Sequence, residues 1–317
     1  MRLGVDIMGG DFAPEHTLLG AIQAWKELPQ DAKLVLIGDK DAMLPILQRE
    51  QVPADVFEIV HTTEVIAMSD HPTKAFQQKQ DSSITVGFHL LKEGKIDSFA
   101  SAGNTGAMLV GSMFTVKAIP GILRPAIASL LPKFNGGWGL ILDVGVNADC
   151  KPEVLQQFAV LGSIYAQNIL HKSKPTVGLL SIGEEEEKGN LLVKEPHQLL
   201  KDTKEISFIG NVEGRDLFND KADVIVCDGF TGNVILKQAE SFYHLIKMRD
   251  IKDAYFDRFN YEDYGGTPIL GINSAVIIAH GISKAKAIKN MILLSKEVVE
   301  VKLAAKISAA FSKETVS

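Results

Sequence analysis

The stretch Leu3-Gly4-Val5-Asp6-Ile7-Met8-Gly9-Gly10-Asp11 decides the fold. Its first five residues form a short strand-like run, and a loop of glycine and aspartate comes directly after. The same pairing recurs along the chain. Ala102 leads into Gly103-Asn104-Thr105-Gly106-Ala107, and Leu142 leads into Asp143-Val144-Gly145-Val146-Asn147. Gly183 leads through four glutamates to Lys188-Gly189-Asn190. Later runs pass into Gly210-Asn211-Val212-Glu213-Gly214-Arg215-Asp216 and Asp228-Gly229-Phe230-Thr231-Gly232-Asn233. Strand-type runs at 34–38, 56–61, 98–102, 140–144, 177–182, 206–209 and 224–227 alternate with helical patterns at 14–26, 84–92, 152–170 and 231–247. That alternation predicts βαβ units around a mostly parallel sheet, with the apolar helix faces covering it.

In an open parallel sheet, ligands bind beyond the carboxyl ends of the strands, so the six loops predict one site. Glycine permits close backbone approach, and a helix after the loop offers free amide hydrogens and the positive end of its dipole. Together these suit an anion such as phosphate. A single Gly-Asn pair is an ordinary turn or cap; the weight lies in six such loops on strand ends.

Composition narrows the classes. Of 317 residues, 46% are hydrophobic and 23% charged, which excludes disorder, collagen and coiled coil. Thirty-three Lys and Arg against 39 Asp and Glu leave a net charge of −6, the wrong field for a general nucleic-acid binder. Cys150 and Cys227 cannot form a disulfide framework, and they suit a reduced, cytoplasmic compartment. Met1-Arg2 run directly into the first strand, so no signal peptide is expected. No apolar run reaches the ~18 to 20 residues of a spanning helix, so the chain is expected to touch a membrane at most peripherally.

No fixed-period repeat is present. Pro120, Pro125, Pro132 and Gly136-Gly137 read either as a crossover between lobes or as loops between short strands. The organisation expected is a single α/β/α domain over 1–317, with a helical and aromatic excursion at 238–264 and a last helix over 284–311. That helix carries Ile288, Met291, Ile292, Val299, Leu303, Ile307 and Phe311 on one face, which packing explains better than a membrane surface.

Absences narrow the chemistry further. The first strand is not followed by G-x-G-x-x-G, and there is no G-x-x-x-x-G-K-[ST] or G-x-S-x-G. Neither cysteine stands in C-x-x-C, and no H-E-x-x-H occurs, so a zinc site is not expected. The loops can hold phosphate by amides, Asn side chains, hydroxyls and one lysine. Phosphate, already anionic, can then serve as the nucleophile, leaving the protein to position it and to stabilise a developing oxyanion. Lys188 and Asn233 fit those two tasks, although Lys188 behind four glutamates can equally be a partner in a solvated charge run.

These strings, with Tyr264-Gly265-Gly266, resemble the bacterial phosphate acyltransferase family of phospholipid synthesis over nearly the whole chain. The resemblance implies a three-layer α/β/α sandwich related to phosphotransacetylase and isocitrate-dehydrogenase-like folds. It implies transfer of a long fatty acyl group from acyl carrier protein to inorganic phosphate by a homodimer needing no metal or other cofactor. The acyl phosphate would then pass to a membrane glycerol-3-phosphate acyltransferase. Lys188 matches the lysine of the family's Lys-Gly-Asn loop, and Asn233 the asparagine of its Thr-Gly-Asn turn. These are the catalytic candidates. Asp6, Gly10, Asp11, Asn104, Thr105, Gly106, Asp143, Asn147, Gly189, Asn190, Glu213, Asp228 and Gly232 fall in matching motifs and are the phosphate- and thioester-binding candidates.

Two departures stand out. Gln77 and Gln78 replace arginines usual in the family, leaving Lys74 and Lys79 as cations there. The stretch between Lys237 and Tyr264 is shorter and more charged than the apolar hairpin with which family members can dock on membranes, and its aromatic residues are read as a dimer contact. An acidic carrier protein would need a basic docking ground, for which Arg249, Lys252, Arg258, Lys284, Lys286 and Lys289 are available. The competing readings are a phosphotransacetylase-like enzyme using acyl coenzyme A, a dehydrogenase of the isocitrate type, and a non-catalytic anion-binding scaffold for lipid-synthesis partners.

Overall fold

The computed structural model describes residues 1–312. From the N-terminus run β1 (Arg2–Asp6), α1 (Glu15–Glu27), β2 (Lys33–Gly38), α2 (Lys40–Arg49), β3 (Glu58–His61), α3 (Pro72–Gln78), α4 (Ser83–Lys92), β4 (Ser98–Ser101) and α5 (Thr105–Gly111). Next come β5 (Ala126–Pro132), β6 (Trp138–Leu142), α6 (Pro152–Asn168), β7 (Thr176–Leu180), α7 (Leu191–Asp202), β8 (Ser207–Val212), β9 (Val224–Val226), α8 (Gly229–Met248) and α9 (Ala254–Asp257). The chain closes with β10 (Thr267–Leu270), β11 (Ala275–Ile278), α10 (Ala285–Glu300) and α11 (Leu303–Phe311). These elements fall into two units: Met1–Ala118 with Tyr261–Ala304, and Ile119–Asn260 with residues 305–312.

In the first unit β2 pairs with β3, β1 with β2 and β4, and β4 with β11, all parallel, while β10 runs antiparallel to β11. Strands β1, β2 and β4 are buried almost end to end, as a parallel sheet covered on both faces by helices must be. Helix α1 lies so close to α10 that a methyl on Gly20 would stand 2.5 Å from the Ile288 Cβ. Register places the polar groups at the strand ends. Val5 pairs with Ala100, so Asp6 at the end of β1 comes beside Ser101 at the end of β4.

In the second unit β6, β9, β7 and β8 are parallel in that order, and β5 forms an antiparallel pair with β6. The proline-rich stretch therefore carries a strand of seven residues whose last member is Pro132. Leu142 pairs with Val226, and the Asp143 N–H donates to Cys227 O. That register brings the loop after β6 beside the loop after β9.

Capping residues start the helices that matter. Ser82 accepts from Thr85 N–H at α4, Asn104 from Ala107 N–H at α5, and Asp228 from Thr231 N–H at α8. Each such cap is worth about 1 kcal/mol. The single C-terminal helix expected over 284–311 is interrupted after Glu300, with Lys302 in the left-handed region at φ 53°. Its apolar face is nonetheless core: Ile288, Met291, Ile292, Leu303, Ile307 and Phe311 are buried. No helix among the described residues is long and apolar enough to cross a membrane.

Candidate active site

The six loops divide between the units: those after β1 and β4 lie in the first, and those after β6, β7, β8 and β9 in the second.

In the second unit the organising group is Asp143, fully buried at the end of β6. Its Oδ1 accepts from Ile127 N–H at 3.1 Å, and its Oδ2 from the N–H groups of Val146 (3.1 Å) and Asn147 (2.6 Å) and from Asn147 Nδ2 (2.9 Å). Burial pushes its pKa up, and the donated hydrogen bonds oppose that rise. Asn147 Nδ2 also donates to Pro125 O, so that amide is spent on the loop itself. The first turn of α8 rests on this loop. A Cβ on Gly232 would lie 2.0 Å from Asp143 O, so only glycine allows the approach. One residue later Asn233, half-buried, donates from Nδ2 to Val144 O at 3.3 Å, which leaves its other amide hydrogen and its oxygen available.

Lys188 sits on the loop after β7. Its exposed ammonium has neither a carboxylate nor a hydrogen-bond partner among the described residues. The neighbouring glutamates look elsewhere: Glu184 pairs with Lys221 at 2.8 Å, and Glu186 faces His197 and Lys201 at 3.5 Å. The lysine is therefore not the counter-ion of its own charge run. Its loop is fastened from behind, because Asn211 Nδ2 donates to Glu185 O, Lys188 N–H to Glu185 O, and Ser181 Oγ to Lys188 O. A cavity of about 300 Å³ is lined by Ser181, Gly189, Asn190, Asp228, Thr231 and Ile235 among others. It brings three of the expected residues, Gly189, Asn190 and Asp228, to one space. Asp228 is committed to capping, with its two oxygens on the N–H and Oγ of Thr231. Glu213 caps the short helix at 214–216 and is paired with Arg215.

The first unit repeats the device on a smaller scale. Asp6, 1% exposed, accepts from Ser101 Oγ at 2.6 Å and Met8 N–H at 2.9 Å, and burial again raises its pKa. Ser101 Oγ in turn accepts from Gly103 N–H. Gly10 takes φ +107°, which lets Asp11 N–H reach Gly281 O at 2.8 Å. Asn104 is saturated: Oδ1 holds Ala107 N–H, and Nδ2 points at the carbonyls of Ala67, Met68 and Asp70. Gly106 lies beneath Pro72, and Asp11 and Thr105 are exposed.

Sequence reasoning does not single out Ser101, Ser181 and Asn211. Their shared signal is a polar residue at or next to the end of an apolar run, and each holds a loop, Ser181 lining the polar cavity as well. The cysteines are poor nucleophiles here: burial pushes Cys150 up to about 12 and Cys227 well above its usual value. The carboxylates of Glu184, Glu213 and Asp216 lie within 4.8 Å of one another, and Lys221 and Arg215 supply the positive charge among them. Of the basic residues available for docking, Arg258 is engaged with Lys133 O, Gly137 O and the Trp138 ring, Lys286 with Asp263, and Lys289 with Glu27. Lys79 is paired with Asp70 at 2.6 Å.

The fold is that of phosphotransacetylases. A phosphotransacetylase from Streptococcus pyogenes superposes with a TM-score of 0.68 at 17% identity, over 94% of each chain. A branched-chain phosphotransacylase from Enterococcus faecalis V583 gives 0.65 at 16%, over 94% of this chain and 99% of that one. The sequence goes further than the fold. The family model described as "Fatty acid synthesis protein" matches residues 1–306. A protein of Dictyoglomus turgidum named phosphate acyltransferase is 42% identical over 99% of both chains, and one of Halothermothrix orenii is 44% identical over 94% of this chain and 95% of its own. The chain belongs to this phosphate acyltransferase family, and it is an acyltransferase enzyme.

Proposed function

We propose that the enzyme moves a long-chain fatty acyl group from acyl carrier protein to inorganic phosphate, giving acyl phosphate for phospholipid synthesis. The observation that carries this reading is the unpaired ammonium of Lys188 on a loop anchored by Asn211 and Ser181, in the unit where Asn233 rests on the buried Asp143 loop. A phosphate oxygen attacks the thioester carbonyl carbon, the C–O bond forms, and negative charge collects on the former carbonyl oxygen. Lys188 orients the phosphate, and the remaining amide hydrogen of Asn233 with nearby backbone N–H groups stabilises the oxyanion. Collapse breaks the C–S bond. The carrier thiol, with a pKa near ~8.5, departs as thiolate and takes a proton from water, so no strong general acid is needed.

Gly189, Asn190 and the amides around Asp228 line the phosphate and thioester pocket, and Gly232, Asp143, Asn147 and Glu213 hold its loops. Asp6, Gly10, Asn104 and Gly106 hold the loops of the first unit, on which Asp11 and Thr105 are exposed. The exposed Phe230, Leu245, Met248 and Ile251 support self-association as a homodimer. A cytoplasmic enzyme of this kind would hand its acyl phosphate to a membrane glycerol-3-phosphate acyltransferase, with peripheral membrane contact at most.

The test is incubation of purified protein with hexadecanoyl-acyl carrier protein and phosphate, with hexadecanoyl coenzyme A in parallel and hydroxylamine trapping of acyl phosphate. Product from the carrier protein alone is expected. Product from coenzyme A alone would move the enzyme to the phosphotransacetylase-like reading that its fold also supports, and no product from either, in folded protein, would leave the scaffold.

A further inference from the structure

Helix α8 is buried only at Gly229 and Gly232, in its first turn. Beyond Asn233 its Val234, Ile235, Ala239 and Phe242, with Phe256 and Phe259 from the segment around α9, line an open cavity of about 590 Å³. Gln238 is the exception to an otherwise apolar and aromatic wall. The hydroxyl of Tyr255, whose ring lies in that wall, donates to Pro132 O at 3.1 Å. The wall is held in place: Asp253 caps α9, Arg258 bonds Lys133 O and Gly137 O, and the Phe218 ring meets Phe259 edge-on at 5.3 Å. Ile235 belongs to this cavity and also to the polar cavity of Gly189, Asn190 and Asp228.

We infer that this cavity is the receptor for the alkyl chain of the acyl thioester, so that α8 holds the reacting carbonyl near Asn233 and the chain along the helix towards Ile246. The inference rests on the acyltransferase reading. Two observations single out an alkyl chain as occupant. The cavity shares Ile235 with the space where the carbonyl would react, and its apolar lining follows α8 from Val234 to Ile246. From Asn233 to Ile246 the helix rises roughly 20 Å at 1.5 Å per residue, the reach of a long fatty chain. A cavity of this size lies within the range of small-molecule sites. Binding energy from the chain, remote from the reacting bond, is what orients the thioester.

Filling the cavity at two depths tests this. Ala239→Trp blocks it near the polar site, and Ile246→Trp blocks only its far end. The measured quantity is the ratio of kcat/KM for hexadecanoyl to hexanoyl carrier thioesters, with dodecanoyl between them. Ala239→Trp is expected to lower the hexadecanoyl-to-hexanoyl ratio by at least about tenfold. Ile246→Trp should penalise hexadecanoyl but spare dodecanoyl. Binding of cis-parinaric acid, an 18-carbon fluorescent fatty acid, reads the cavity without turnover and should weaken in both variants, with melting curves confirming that they fold. Unchanged ratios and unchanged parinaric binding would overturn the assignment while the acyltransferase reading stood. If Ala239→Trp instead abolished self-association at an unaltered chain-length profile, the occupant would be a second copy and the inference would fall. Absence of acyl phosphate from wild-type enzyme at every chain length would sink the acyltransferase reading itself, and parinaric binding would still decide the cavity.

Discussion

The loops after β1 and β6 begin alike. Each follows a buried strand, each starts with a buried aspartate whose pKa burial raises, and each is tied back by amide hydrogens donated to that carboxylate. They end differently. Around Asp6 the buried polar groups are consumed by structure, with Ser101 holding Gly103 and Asn104 holding three carbonyls, and only the exposed Asp11 and Thr105 side chains stand outside that network among the described residues. Around Asp143 the next helix brings Asn233 with hydrogen-bonding capacity to spare, and the same unit holds an unpaired Lys188. A shared motif therefore says how a loop is made rigid. Whether that loop does chemistry depends on which polar groups remain uncommitted once it is rigid.

The largest effects should come from those uncommitted groups. Lys188→Ala and Asn233→Ala are each expected to lower acyl phosphate formation by about 10² to 10³ fold with melting little changed, the usual cost of losing a group aimed at the developing charge. Asn104→Ala should do the reverse, lowering the melting temperature more than turnover. If it cost as much turnover as Asn233→Ala in a fully stable protein, the contrast between the two loops would break.

The two aspartates sharpen it next. Asp143→Ala strands four donors and should destabilise by about 3 kcal/mol or more, while Asp6→Ala strands fewer and should cost about 2 kcal/mol, both read by denaturant unfolding. Equal losses would mean that the richer network around Asp143 contributes nothing extra.

The second unit also buries Lys133, which has no buried lysine counterpart among the described residues of the first. Its ammonium donates to Leu217 O and Ala222 O, and burial lowers its pKa from 10.5 to about 8. Between those values the folded chain has released a proton that the unfolded chain still binds, so this group makes stability rise with pH there. Compared with Lys133→Met, the wild type should gain up to about 3 kcal/mol between pH 8 and 10.5. A constant difference between the two curves would show that the amine is not desolvated. The smallest effect is expected in the first unit. The half-buried Lys79 holds the Asp70 carboxyl below its usual range, so Lys79→Ala should leave turnover and neutral-pH melting unchanged and alter only the acid limb of the stability curve.

Much of this fold is legible from the chain because strand, glycine loop and capped helix are local events. The runs at 34–38 and 98–102 fall within a residue of β2 and β4, and the helix expected at 231–247 is α8 with two residues added at its start and one at its end. Helices α2 and α7 escape a reading by pattern, since Pro45 and Pro196 stand inside them and proline opposes an interior helical position. Strands β10 and β11, four residues each, are too short to show a period. At the site, Lys188 and Asn233 declare themselves by their loops. That Asn104 and Asn147 are committed to distant carbonyls is not visible, because partners lying 22 to 37 residues away leave no local trace.

By itself the sequence determined the α/β class, the identity of the loops after the strands, the family, and the residue types available for anion chemistry. All of these depend on neighbours in the chain, where periodicity, glycine freedom and caps act. Only the tertiary structure decided which polar groups stay free, which of the cations at 249–289 are already paired, and that α8 carries an aromatic-lined cavity beyond Asn233. Those outcomes rest on burial and on competition among distant donors and acceptors, and that competition is resolved only when the chain closes on itself.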